Sequence, residues 1–248
     1  MKIIREKRIK AGKILEAEFY PVFPSGHRVP ERRRPTREEQ KNLNDANARK
    51  KIVRLINANF GEGDLAIHGT YRDNEMPETL DQVRRDLTNY IRRLRGWRRR
   101  HGLDDLKYIY VIEAKVSKRT GILRWHYHMV ASGMDRDVAE QLWGHGDWTN
   151  ANRLQPNEFG LEGIAKYLVK SPVAGKRWAQ SKNLKQPDVR KRDGKTSPRQ
   201  LQRMCTQLVD DTDYWERRYK GHRLLKVEPK YNDYNGCWYL YVTMRRRE

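Results

Sequence analysis

The chain has 248 residues, a formal net charge of +21 and a sequence pI near 10.1. This basic balance indicates a polyanionic partner, nucleic acid before membrane, and the simpler alternative is a solvated basic surface. Aromatic residues make up 10% of the chain, including seven Trp and thirteen Tyr, and this content excludes a disordered basic tail.

The first predicted elements are an arm, a helix and a strand. Residues 1–35 are basic and contain several prolines, which predicts an extended arm. Thr36 and Glu39 form a capping box that predicts the start of a helix, and the apolar spacing carries this helix to about Ala58. Alternating apolar residues at 65–71 then predict a half-buried strand.

A second helix is predicted from the capping box of Thr79 and Gln82 to about residue 101. One of its faces is apolar, and the opposite face carries arginines. Two strands at 107–114 and 122–131 follow, and the short turn between them predicts a hairpin. The apolar face of the helix consists of Leu80, Val83, Leu87, Tyr90, Ile91, Leu94 and Trp97.

The second half of the chain is predicted to be mostly helical, with a hairpin at the end. Residues 171–196 are polar and poorly patterned, whereas Ser197 opens a capping box with Pro198 at the first helical position. Asn235-Gly236 is a typical hairpin turn. The predicted elements are helices at 135–143, 158–170 and 197–221, a strand at 148–154, and two strands within 223–244.

Cellular location is predicted from cysteines and hydropathy. Cys205 and Cys237 show no ligand spacing, so we expect core thiols in a reducing compartment. No apolar run approaches the length of a membrane span, and the first residues lack the apolar core of a signal peptide. These features predict a soluble, cytoplasmic protein without a membrane partner.

Two histidines stand two residues apart in the predicted strand 122–131. Side chains alternate along a strand, so His126 and His128 share one face while Tyr127 points to the other. Two imidazoles on one face, with Glu113 on the neighbouring strand, predict a divalent metal site with open positions. Mg²⁺ or Mn²⁺ would suit a phosphate substrate, and imidazoles favour Mn²⁺. The simpler alternative is a pair of buried, hydrogen-bonded histidines.

A tyrosine and a lysine lie one turn apart on the predicted helix 158–170. Tyr167 and Lys170 share a face by their three-residue spacing. A phenol is a weak nucleophile, but a nearby ammonium favours the phenolate and a metal on a phosphate favours attack. By itself, the pattern is also that of an ordinary amphipathic helix with a half-buried tyrosine.

Basic and aromatic residues around these motifs are candidates for DNA binding. Cations neutralise phosphates, and aromatic rings stack on bases. Each basic cluster alone is equally typical of a solvated face, and the tryptophan is equally typical of a core. The candidate DNA-binding residues are Arg124, Lys166, Lys176, Arg177, Trp178 and Lys182.

Three short motifs in this order resemble those of the HUH endonucleases. Residues 64–71 are similar to the first-motif strand, residues 126–128 to the two-histidine motif, and residues 167–170 to the tyrosine-x-x-lysine motif. The resemblance spans about residues 40–185 and is closest to the single-tyrosine class of rolling-circle replication initiators of bacterial plasmids and filamentous-type phages. The first motif departs from the family in having His68-Gly69 where an apolar residue and a threonine are usual.

This resemblance implies an α+β, RRM-like fold. Its antiparallel sheet would carry the two-histidine motif on a central strand, with the tyrosine-bearing helix packed across the sheet. We predict a basic arm and helix at 1–60, a catalytic domain at 61–185, and a helix and hairpin extension at 186–248.

The resemblance also implies a reaction. A metal held by His126, His128 and Glu113 would polarise a phosphate of single-stranded origin DNA, and Lys170 would add electrostatic stabilisation. Tyr167 would attack and form a 5′-phosphotyrosine, leaving a free 3′-hydroxyl before the strands are rejoined. A host helicase and a second protomer are further candidate partners.

Other functions remain open from the sequence. A single-tyrosine transposase or a mobilisation relaxase would share the chemistry. A non-catalytic nucleic-acid-binding protein would use the basic surface alone, and a metal-dependent hydrolase would use activated water without a covalent adduct.

Overall fold

The structure is a computed structural model with two antiparallel sheets of five strands each. Together with six α-helices in the described part of the chain, they confirm the predicted α+β class. The described residues are 3–23, 37–117, 121, 123–146, 149–168 and 177–247, without the side chain of Glu39.

The elements follow one another in a mixed order along the chain. They are β1 (Ile3–Ala11), β2 (Ile14–Val22), α1 (Arg37–Asn59), β3 (Leu65–Thr70), α2 (Leu80–Arg100), β4 (Tyr108–Val116), β5 (Leu123–Ala131), α3 (Arg136–Gln141), β6 (Asn150–Arg153), α4 (Glu162–Leu168), β7 (Ala179–Gln180), β8 (Asp188–Asp193), α5 (Pro198–Thr206), α6 (Thr212–Arg218), β9 (His222–Asn232) and β10 (Cys237–Arg246).

The chain divides into two compact units, each with one sheet. Unit 1 consists of Met1–Lys50, Glu158–Gly160 and Gln186–Glu248, and unit 2 consists of Lys51–Asn157 and Leu161–Lys185. The predicted division at residues 60 and 185 stays a prediction.

Unit 2 is built on the strand order β6-β3-β5-β4-β7, with β5 in the middle. One face of the sheet packs against α2 and the other against α4 and the second half of α1. The pairing of β4 with β5 confirms the predicted hairpin, although residues 118–120 of its turn lie outside the described residues. The sheet therefore has two apolar faces, and the strand β5 contributes side chains to both.

Helix α2 follows its sequence pattern closely. The Thr79 hydroxyl accepts a hydrogen bond from the Gln82 backbone, and the Gln82 side chain accepts one from the Thr79 backbone, so the predicted capping box is confirmed. Most of the predicted apolar face is buried against the sheet, while Leu80 and Trp97 are partly buried. The predicted capping box of Thr36 and Glu39 lies outside the described residues.

Unit 1 has the strand order β8-β1-β2-β10-β9, with α5 and α6 packed on one face. The prediction of an extended arm was wrong for residues 3–22, which form β1 and β2. Along β2, Leu15, Ala17 and Phe19 are buried, and they alternate with more exposed residues. This two-residue alternation is the strand signal, and the emphasis on charge and proline concealed it.

The predicted long helix at 197–221 was also wrong, because two short helices occupy this segment. Helix α5 ends near Thr206, and α6 starts after Asp211, whose carboxylate accepts a hydrogen bond from the Tyr214 backbone at 2.9 Å. A side chain that caps a new helix start competes with continuation of the first helix. Part of the poorly patterned segment forms the exposed edge strand β8.

Other predictions for unit 1 are confirmed. Strands β9 and β10 form the C-terminal hairpin, and Gly236 in its turn has a φ of +57°. Cys205 and Cys237 are both buried and free. Within the described residues, no helix is long and apolar enough to cross a membrane.

A buried carboxylate joins β1 to the end of α6 in unit 1. Glu6 is 2% exposed and accepts hydrogen bonds from Arg8 at 2.6 Å and from the Tyr219 hydroxyl at 2.8 Å. Burial alone would raise the pKa of Glu6, but the hydrogen bonds and the charges of Arg8 and Arg218 hold it below its ordinary value of 4.5. The ionised carboxylate therefore stabilises this unit.

We expect Glu6→Gln to lower the free energy of unfolding by about 2–4 kcal/mol at pH 7, because two donors lose their buried anionic acceptor. The pKa of Glu6 is lower in the folded chain, so its contribution is fully present above about pH 4.5 and is lost as the pH falls through the folded-state value. Urea unfolding of both proteins across this pH range measures the difference.

Asp193→Asn is the matched control, since it removes an ion pair with Arg5 that lies at the surface. A much smaller loss is expected there. Equal losses for the two variants, or a loss for Glu6→Gln that does not depend on pH, would contradict the assignment.

Candidate functional site

The middle strand β5 places its two histidines beside polar residues of both neighbouring strands. His128 pairs with His68 of β3, and His126 pairs with Glu113 of β4. Residues directly opposite in an antiparallel pair point to the same face, so all four side chains share one face of the sheet.

This face is the one covered by α4 and the second half of α1. Val111 and Val130 lie on it one step along their strands, and both belong to the core formed with Ala165 and Leu168 of α4. The polar side chains therefore begin where the apolar core ends. Their position explains why His128 is only 7% exposed although it borders an open site.

The three histidines form a compact cluster. Each of His68, His126 and His128 offers one ring nitrogen within 4.8 Å of those of the other two. The rings of His68 and His128 are stacked with centroids 4.5 Å apart, and His126 meets both rings edge-on. Three imidazole nitrogens at such spacing are a donor set for a divalent transition metal.

Burial and mutual proximity favour the neutral form of these imidazoles. Burial, followed by the neighbouring charges of His68 and His126, lowers the pKa of His128 to about 3. Burial and the charge of His126 also lower the pKa of His68 from its usual 6.5. A metal binds the neutral ring, so the cluster is kept in the state that metal binding requires.

Glu113 faces the same histidine nitrogens from the neighbouring strand. Its Oε2 lies 2.9 Å from Nε2 of His126 and 3.6 Å from Nε2 of His128. The Glu113 side chain is 16% exposed, so the carboxylate is largely shielded from water. The arrangement fits either an oxygen ligand beside the imidazoles or an acceptor that orients the two rings.

Tyr167 stands at the edge of the histidine cluster. Its ring lies edge-on to the ring of His128, with centroids 4.9 Å apart, and the residue is 51% exposed. Ala165 and Leu168 fix this turn of α4 in the core on either side of Tyr167. The phenol is therefore held beside the candidate ligands and remains accessible to a large substrate.

Two of the predicted basic residues make ion pairs. Lys166 Nζ lies 2.5 Å from Glu162 of the same helix, and Arg124 lies 2.6 Å from Asp73. Neither side chain contacts the histidine cluster in the described contacts. Their proposed role with DNA would require exchange of these surface pairs, which are weak in water. Lys170 and Lys176 lie outside the described residues.

The remaining predicted DNA-binding residues are near β7. Trp178 is partly buried against the core that includes α4, and its Nε1 donates a hydrogen bond to the Gln180 side chain at 2.9 Å. Lys51 Nζ lies 5.9 Å from the centre of the Trp178 ring. Arg177 is half-buried and Lys182 is exposed. Trp178 thus has a structural role in addition to any contact with DNA.

His68 was missed as a site residue, although the sequence held a signal for it. Leu65, Ile67 and Gly69 alternate toward one face, which leaves His68 on the other. Only the knowledge that β3 pairs with β5 would have placed it against His128. The departure from the first motif is therefore the residue that completes the histidine cluster.

Gly69 permits this arrangement on the opposite face of the sheet. A Cβ at this position would lie 2.1 Å from the Tyr127 ring, which is fully buried. The ring of Tyr127 therefore occupies the space of the missing side chain. The two departures of the motif, His68 and Gly69, act on the two faces of the same strand.

A family model for replication-associated proteins of the ORF2 type matches residues 65–172. The matched segment begins with β3 and contains His68, Glu113, both histidines of β5 and Tyr167. Over this segment the chain is similar to replication-associated proteins, which supports a role in the initiation of replication. No curated protein and no solved structure gives a significant match.

We expect Gly69→Ala to destabilise the protein by about 1–3 kcal/mol, because the added methyl group strikes a buried ring that cannot move freely. In a Tyr127→Leu background the same substitution should cost less, since the ring is gone. Denaturant unfolding of the four proteins gives the coupling. Gly61→Ala, where nothing lies within 4 Å of the added atom, is the control. Equal losses at positions 61 and 69 would refute the close-packing explanation.

We expect His68→Ala to weaken Mn²⁺ binding at least about tenfold, as loss of a metal-supporting residue typically does. Titration calorimetry with Mn²⁺ measures the affinity. The matched control is His101→Ala, because His101 is exposed and stacks on Trp97 at the end of α2. If His68→Ala binds Mn²⁺ like the unmodified chain while loss of His126 and His128 abolishes binding, His68 is not a ligand.

Proposed function

We propose that the protein is a metal-dependent nickase that initiates replication by cutting single-stranded DNA through a phosphotyrosine intermediate. The observation that carries this proposal is the edge-on contact between Tyr167 and His128 beside the histidine cluster. The similarity to replication-associated proteins over the same segment supports it. Assignment to the single-tyrosine class of HUH endonucleases is part of the proposal.

The donor set fits a divalent transition metal. His68, His126 and His128 would hold the ion, and Glu113 would add an oxygen ligand or orient the rings. Three imidazoles favour Mn²⁺ over Mg²⁺, which prefers oxygen ligands. When bound, the ion would supply Lewis-acid polarisation of the scissile phosphate.

Tyr167 would act as the nucleophile. The phenol gives its proton to solvent, and a bond forms between its oxygen and phosphorus while the bond from phosphorus to the 3′ oxygen breaks. That oxygen takes up a proton and becomes the free 3′-hydroxyl from which replication is primed. The exposure of Tyr167 supports this role, because a phosphodiester strand must reach the phenol oxygen.

The surrounding residues would bind and position the strand. Arg124, Lys166 and Lys182 would contact phosphates, with Lys170 and Lys176 of the neighbouring segment as further candidates. A single strand is the expected substrate because its backbone can bend into the site without base pairs to open. Unwinding of the origin would then depend on a host helicase or supercoiling.

We expect Tyr167→Phe to abolish formation of a covalent protein–DNA adduct and to leave DNA affinity within about threefold, because only the attacking oxygen is removed. The protein is incubated with Mn²⁺ and an oligonucleotide that carries the candidate origin and a label at its 3′ end, since the 3′ fragment stays on the tyrosine. Adducts are resolved on a denaturing gel. Tyr108→Phe, on the opposite face of the same sheet, is the matched control and should form the adduct.

Each other result of this experiment supports a different function. Cleavage without an adduct in the unmodified protein indicates water as the nucleophile, as in a metal-dependent hydrolase. An adduct that persists in Tyr167→Phe rules out this tyrosine. Salt-sensitive binding without cleavage of any candidate origin would favour a non-catalytic DNA-binding protein.

A further inference from the structure

The hairpin of β9 and β10 in unit 1 carries aromatic residues close to its turn. Tyr231 is 49% exposed and Tyr234 is 58% exposed, which is unusual for such large side chains. The ring of Trp238 lies 5.0 Å from that of Tyr231, and Trp238 is partly buried against the core of unit 1. We call Tyr231, Tyr234 and Trp238 the aromatic hairpin.

The turn that presents these rings is internally braced. The Asn232 side chain accepts hydrogen bonds from the backbone of Tyr234 at 3.0 Å and of Asn235 at 3.4 Å. The Asn235 amide in turn donates to the Tyr239 hydroxyl at 2.8 Å. A braced turn loses little conformational entropy when a ligand binds, so rings held in this way are suited to recognition.

Cations accompany the aromatic hairpin along the same strand. Arg223, Lys226 and Lys230 of β9 are all exposed. Lys226 pairs with Glu228, and Lys230 Nζ lies 5.7 Å from the centre of the Tyr241 ring. The strand therefore combines more cations than anions with exposed rings, on a chain whose net charge is +21.

We propose that the aromatic hairpin is a second binding surface for single-stranded DNA, in which Tyr231 and Tyr234 stack on unpaired bases and the cations of β9 neutralise the adjacent phosphates. This surface lies outside the segment that is similar to replication-associated proteins. The inference rests on the proposed function only in taking single-stranded DNA as the partner, and it does not require nicking.

Single-stranded DNA fits this surface better than a duplex or a protein. Base–aromatic stacking needs unpaired bases, because the bases of a duplex already stack on each other. Exposed tyrosines next to lysines match the chemistry of known single-strand platforms, which combine stacking rings with a charged path for the backbone. Self-association through the exposed rings is the competing explanation, and the experiment separates the two.

The test uses the full chain and a labelled oligothymidine of about 30 nucleotides, longer than the site of one stacking module. Fluorescence anisotropy gives the affinity of the unmodified protein, of Tyr231→Ala/Tyr234→Ala, and of Tyr231→Phe/Tyr234→Phe. The alanine variant should bind about 5- to 150-fold more weakly for each stacked base that is lost. The phenylalanine variant keeps both rings and should bind within about twofold.

Val189→Ala is the matched control, because Val189 is an apolar residue of the same sheet that is 48% exposed on another strand. Its affinity should equal that of the unmodified chain. Circular dichroism and the thermal midpoint of each variant show whether the fold is kept. As a second measurement, an oligonucleotide containing 5-iododeoxyuridine is cross-linked by ultraviolet light, and the peptide containing residues 231–238 should carry the label.

The outcomes are decisive for this surface independently of nicking. Unchanged affinity of the alanine variant, or cross-links confined to other peptides, overturns the proposal. A change in sedimentation behaviour with unchanged DNA affinity also overturns it and supports self-association. If no covalent adduct forms at Tyr167 but binding still depends on the two rings, the nicking proposal fails and this inference stands.

Discussion

The register of β5 between β3 and β4 is the constraint on which the candidate site depends. The side chains of a strand alternate with a period of two, so a shift of one residue would send His126 and His128 to the face of α2. Apolar residues on both faces prevent this shift, because Tyr127 and Met129 fill the core against α2 while Val130 fills the core against α4. Ordinary hydrophobic packing therefore fixes where the polar cluster forms.

The aromatic core behind the sheet holds this register from one side. Tyr127 packs against Trp143 and Tyr90, whose ring centroids lie 4.6 Å and 5.9 Å from its own. The Tyr90 hydroxyl donates to the Ala139 carbonyl at 2.7 Å, and the Trp143 indole donates to the Thr70 carbonyl at 2.6 Å. The second bond ties this core to the last residue of β3, which pairs with the first histidine of β5. Polar atoms of a buried core thus brace the strand that completes the histidine cluster.

Much of the fold could be predicted from local pattern. Helix α2, the hairpin of β4 and β5, and the terminal hairpin all have caps, turns or periodicities that depend on neighbouring residues in the chain. The failures had different causes. Strands β1 and β2 were concealed by charge and proline, although their alternation was present, and the break between α5 and α6 depends on one carboxylate, that of Asp211.

The candidate site was predictable to the extent that it lies on one hairpin. Glu113 came near His126 because a short turn connects their strands. His68 belongs to a strand separated from β5 by the whole of α2 and β4, so nothing local indicates that the two strands are neighbours. Long-range pairing is decided by the burial of whole faces, which a pattern of neighbouring residues does not encode.

The strand order of unit 1 has a consequence for synthesis of the chain. Strand β1 pairs with β8, and the ion pair of Arg5 with Asp193 joins residues 188 positions apart. At typical rates of translation, β1 leaves the ribosome roughly 10–40 seconds before its partner. Unit 2 is almost continuous in sequence and can fold during this interval. A nascent or truncated chain would expose the free edges of the β1–β2 hairpin, and such edges recruit chaperones or promote aggregation.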